Sequence, residues 1–122
     1  MPTTYLAVML VAILANGFSG IGALLHIKAA LRPMDRAGVP RSWMTFPIGT
    51  LKTAGAAGLL LGLAGVPHVG LAAAVGLTLF FVCAVHTHIL AGDYAPQFWL
   101  ALAFLATAVA AVTVNVGPYL GP

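Results

Sequence analysis

The stretch Lys28–Lys52, KAALRPMDRAGVPRSWMTFPIGTLK, contains all five Lys and Arg residues of a 122-residue chain: Lys28, Arg32, Arg36, Arg41 and Lys52. Pro33, Gly38 and Pro40 break any long helix within it, so it reads as a polar loop. On either side the sequence is nearly pure hydrocarbon. A basic segment between long apolar runs marks a cytoplasmic loop, because Lys and Arg close to membrane spans are retained on that side.

Composition carries the same message. Hydrophobic residues make up 61% of the chain, charged residues 6%, and the mean hydropathy is +1.06. A soluble domain carries about 25% charged residues, so lipid is the expected main solvent here. The net charge of +3 comes with no recognition motif for nucleic acid, and no such partner is expected. Cys83 is the single cysteine, which excludes an internal disulfide and a Cys-x-x-Cys redox pair. Lying in the apolar run Leu77 to Val85, it is expected to be a small core hydrophobe. The segment Met1-Pro-Thr-Thr-Tyr5 lacks the basic region of a cleavable signal, so the first apolar run is expected to be retained.

A spanning helix needs about 20 mostly apolar residues. Four stretches qualify: Tyr5 to Ile27, Phe46 to Ala64, His68 to Leu90, and Gln97 to Val116. Gly65-Val-Pro67 and Gly92 to Pro96 read as tight turns, and short connections force antiparallel neighbours. The fold expected is a single-domain, all-α membrane protein, an antiparallel up-down-up-down bundle of four transmembrane helices. With the basic loop inside, both termini and the Gly65–Pro67 turn fall outside, and the Gly92–Pro96 turn falls inside. Tyr5, Trp43, Tyr94, Trp99 and Tyr119 fall near span ends, as an aromatic belt requires.

Small residues write the helix contacts. Gly55, Gly58 and Gly62 share one face of the second span, where a backbone can approach closely. That face serves either a neighbouring span or a second subunit.

Polar side chains inside a membrane are costly and so are candidates for function. Asn16, Ser19 and His26 form a stripe down the first span, suited either to interhelical hydrogen bonding or to lining a ligand. Topology gathers His26, Lys52, His86, His88 and Asp93 near the cytoplasmic side, where they can share one pocket. His86 and His88 are about 200° apart around a helix, so at most one of them points into it. The remaining ligands are too few for a metal site, and none is expected. Lys52 lies deeper than a topology signal needs. Its ammonium either reaches back to the interface or pairs with Asp93 and binds an anionic or quinone-like headgroup.

The second span's Leu51-Lys52-x-x-Gly55-x-x-Gly58-Leu-Leu-Leu61, the third's Ala73-Ala74-x-Gly76-Leu77 and the ending His88-x-x-x-Gly92-Asp93 resemble the DoxX-like family of small bacterial membrane proteins. Ala54, Ala56 and Ala57 stand where relatives often carry an acidic residue, and Leu90 and Ala91 where basic residues often follow the histidine. The resemblance implies a bacterial inner-membrane protein linked to quinones, as a membrane oxidoreductase component or as an assembly factor. It carries over Lys52, His88, Gly92 and Asp93. The expected function is binding of a lipophilic, quinone-like small molecule on the cytoplasmic half of the bundle. In that reading Lys52 and Asp93 hold the ligand, Asn16 and Ser19 line its deeper wall, and a histidine among His26, His86 and His88 carries protons, as imidazole does near neutrality. The alternative is a noncatalytic subunit whose glycine face docks a partner membrane protein or a second copy.

Overall fold

Each apolar run becomes a helix, because in lipid the backbone N–H and C=O groups find no water and must bond one another. The computed structural model describes residues 3–25, 38, 40, 43, 45–92, 94 and 96–116. His26, Asp93, Tyr119 and the basic residues other than Lys52 lie outside the described residues. The helices are α1 (Thr3–Leu24), α2 (Thr50–Leu63), α3 (Val69–Leu90) and α4 (Pro96–Val116). Three of them, all except α2, are long and apolar enough to cross a membrane.

The second span departs from the predicted one. Its regular helix starts at Thr50 rather than Phe46 and has 14 residues, about 21 Å, against roughly 30 Å of bilayer hydrocarbon. A π-type segment, Thr45–Gly49, leads into it, with Phe46 extended at φ −142°, ψ 132°. Pro47 is the cause: its ring clashes with a helical conformation in the residue before it.

Both short connections follow from glycine. Gly65 adopts φ +104°, its N–H bonds the Gly62 carbonyl at 3.1 Å, and the Val66 N–H bonds the Leu61 carbonyl at 3.0 Å. This is the Schellman closure of a helix end, which turns α2 back into α3. Gly92, at φ +65°, ends α3 in the same left-handed region, and Pro96 opens α4 at the one helical position where a missing N–H costs nothing.

The four helices close a ring, α1 against α2 and α4, α3 against α2 and α4. Smallness sets the close approach of α2 to α3. A side-chain carbon added at Gly62 would lie 2.6 Å from the Gly70 Cα, one at Gly58 would lie 2.7 Å from the Ala73 Cβ, and one at Gly55 would lie 2.5 Å from Leu77. At the same end as Gly70, Asn115 of α4 donates to the Met9 sulfur of α1 at 3.4 Å and to the Ala111 carbonyl at 2.7 Å. The centre is filled by Met9, Ala12, Leu59, Ala74, Leu77, Phe81, Ala108 and Ala111. Large apolar side chains such as Phe18, Leu79 and Leu90 face outward in numbers that only lipid accommodates. The chain is an all-α, four-helix membrane bundle.

Candidate functional site

Gly20 brings α1 onto the start of α2. A carbon added there would lie 2.5 Å from Thr53 Oγ1 and 3.0 Å from the Lys52 Cβ, so only hydrogen fits between the two backbones. The neighbouring Ser19 is thereby carried to Lys52, whose Nζ donates to Ser19 Oγ at 2.7 Å.

The ammonium points into the bundle rather than back to the interface. Its Nζ lies over the rings of Phe80, Phe81 and Phe104, 5.8, 5.5 and 5.3 Å from their centroids. Phe81 packs edge-to-face on both of the others, which fixes the rings as a unit. The chain's two carboxylates, Asp35 and Asp93, lie outside the described residues; among the described ones Lys52 meets Ser19 and the ring faces. Three π-faces and one hydroxyl offset part of the lost hydration of a cation.

Around this ammonium opens a cavity of about 420 Å³, lined by all four helices and by Trp43 and Ile48 ahead of α2. Its wall is mostly apolar, and the lining residues with polar side-chain atoms are Ser19, Trp43, Lys52, Cys83, Thr87 and His88. Small-molecule sites have this composition and run about 300–1,000 Å³. Such a wall is chemically suited to a molecule that is itself mostly apolar, with Lys52 as a charged donor facing it.

The predicted site residues divide. Ser19, Lys52 and His88 come together on the cavity wall. Of the two α3 histidines, His88 is the interior one, 4% exposed and edge-on to Phe98 with centroids 6.3 Å apart, whereas His86 faces outward. Asn16 is buried at 1% exposure but lies off the cavity wall; its amide nitrogen donates to the Ala12 carbonyl at 2.9 Å and its Oδ1 has no partner among the described residues. His26 and Asp93 lie outside the described residues. Gly55, Gly58 and Gly62 meet α3 rather than the cavity. Among the described residues no group of three His, Cys, Asp or Glu side chains comes together to hold a metal.

Cys83 requires a correction. It is exposed and lies on the cavity rim, not in the core. It sits two residues, about 200°, beyond the interior Phe81, so burying one turns the other outward. Phe80, Phe81 and Phe104 are wall residues that the sequence reading did not single out, and Trp43, expected in the aromatic belt, also lines the cavity. The available signal was the Phe80-Phe81 pair, which lies opposite Lys52 once α2 and α3 are paired antiparallel.

Fold and cavity together define an integral membrane protein with a lipophile-sized chamber at one end of a four-helix bundle. A model of the DoxX-like family matches residues 7–111, and the chain belongs to that family. No curated protein and no solved structure matches the chain.

Proposed function

We propose that this protein binds a lipophilic small molecule with an oxygen-bearing, quinone-like head in the Lys52 cavity, on the cytoplasmic half of a bacterial inner membrane. One observation carries the reading: an ammonium 2.7 Å from Ser19 Oγ, facing the interior of an apolar cavity of about 420 Å³. A charge held inside a span is costly and marks function by default. A quinone-like ligand suits the donors present, since a carbonyl accepts a hydrogen bond from Lys52 Nζ and the ring stacks among phenyl groups. Lys52 and Ser19 hold the head in this reading, and His88, on the same wall, is the group assigned to proton exchange. Asp93, which lies outside the described residues, is assigned with Lys52 to holding the ligand. The basic loop is assigned to the cytoplasm and both termini to the outside, following the positive-inside rule.

Docking a partner helix on the α2 glycines loses support, because α3 already fills the space in front of them. The test is native mass spectrometry with lipid extraction and an absorbance spectrum on protein purified in mild detergent. A lipophile retained by the parent and lost in Lys52→Met is the expected result. An empty parent that instead carries a second polypeptide overturns the ligand reading in favour of a structural subunit.

A further inference from the structure

The cavity opens on one particular side. Leu51 and Gly55 are four residues apart and share the α3-facing side of α2. A carbon at Gly55 would strike Leu77, yet Leu51 is 41% exposed. On the facing helix, Gly76, Leu79 and Cys83 are exposed although all three are on the cavity wall, and a carbon added at Gly76 would meet no atom within 4 Å. Thus α2 and α3 touch at Gly55 and stand apart one turn further toward the basic end.

Sequence explains the parting. From Gly62 to Gly55, α2 offers hydrogen atoms to Gly70, Ala73 and Leu77, whereas the next turn of each helix offers Leu51 and Lys52 against Phe80 and Phe81. Bulk replaces smallness on both sides, so the axes separate, and the π-type turn at Pro47 leaves no regular helix beyond Thr50 to close the gap. The rim of this gap is leucine and glycine in the lipid-facing surface of the bundle, with Leu79 at 63% exposure. Water has no stake in such a rim; acyl chains do.

The geometry points to a lateral doorway between α2 and α3, through which a bilayer-dissolved amphiphile enters, its oxygen-bearing head lodging on Lys52 and its alkyl or isoprenoid tail remaining in the gap beside Leu51, Leu79 and Cys83. This rests on the ligand-binding reading above and adds the route and the ligand class: a single-headed, long-tailed lipid with a carbonyl or carboxylate at one end. A rigid water-soluble molecule gains nothing from the gap.

The experiment uses the full chain in phosphatidylcholine proteoliposomes and a stearic acid carrying a mid-chain diazirine, with adducts mapped by peptide mass spectrometry in the parent, Gly76→Trp and Lys52→Met. Gly76→Trp places an indole in open space at the doorway and leaves the Lys52 side chain itself unchanged. Expected are adducts at Leu51, Leu79 and Cys83 that fall about tenfold in each variant, a difference of about 1.4 kcal/mol in occupancy, and that excess unlabelled lipophile removes. Removal by decylubiquinone identifies a neutral carbonyl head and removal by stearate alone a carboxylate head, and both support the doorway. Competed, Lys52-dependent adducts that persist in Gly76→Trp, or that map to α1 or α4, overturn the doorway and leave the ligand site standing. Labelling spread over the outward leucines, insensitive to competitor and to Lys52→Met, overturns both.

Discussion

Lys52 Nζ donates to Ser19 Oγ at 2.7 Å across the tightest contact of α1 with α2, next to Gly20. Lys52 lies in the first turn of α2, and even at the centre of a spanning helix a lysine costs only about 2.5–3.5 kcal/mol on insertion-based scales. A hydrogen bond to a charged group returns about 1.5–3 kcal/mol, and ring faces add on the order of 2 when the cation is desolvated. The returns are of the same order as the cost, so the ammonium is tolerated by the fold and its loss is expected to change stability little.

Replacing Lys52 with Met therefore separates function from stability. The thioether fills the same space among Phe80, Phe81 and Phe104, and the freed Ser19 hydroxyl can bond a carbonyl of its own helix. The expected outcome is a thermal midpoint in detergent equal to or above the parent's, with at least tenfold loss of retained lipophile. A lowered midpoint with retention intact would mean that Lys52 is a structural strut.

The two histidines of α3 make a matched pair. His88 is 4% exposed on the cavity wall, whereas His86 faces out of the bundle. His88→Ala is expected to weaken binding of decylubiquinone severalfold and His86→Ala to leave it unchanged, read by titration in the same detergent. Equal effects from both substitutions contradict the assignment of His88 to the site.

Glycine substitutions report the α2–α3 contact directly. A methyl at Gly62 would press on the Gly70 backbone at 2.6 Å, and backbone atoms in two packed helices cannot step aside. Gly62→Ala is expected to destabilise by about 1–3 kcal/mol, the usual range for overpacking. Gly76→Ala, facing open space, is expected to stay within about 0.5 kcal/mol of the parent. Thermal unfolding of the two variants side by side checks the difference.

The helices, their order and the two glycine turns were legible because lipid leaves a chain few options: length, apolarity and breakers determine the bundle. Which residues face inward was harder. These helices are apolar all round, so hydrophobicity does not mark an inner face, and Cys83 was expected in the core for that reason. Lys52 stood out as a charge in an apolar run, and Ser19 as part of a small, polar stripe. The phenyl groups around Lys52 did not, since Phe80, Phe81 and Phe104 differ from lipid-facing phenylalanines only through the partners that tertiary packing gives them. The π-type turn was implicit in Pro47, whose effect on Phe46 is local and steric.

Orientation is the remaining prediction, and it follows from charge alone. All five basic residues lie between Lys28 and Lys52, and drawing them across the membrane opposes both desolvation and the retention of Lys and Arg on the cytoplasmic side. The α2–α3 turn lies at the other end of the bundle, where Val66 is exposed. In a Cys83→Ala background, which removes the native thiol, Val66→Cys is expected to react with a membrane-impermeant maleimide added to intact cells. Ser42→Cys, in the basic loop, is expected to react only after the membrane is opened. The reverse pattern would put the Lys52 cavity on the outer half of the bilayer, and with it the proton exchange assigned to His88.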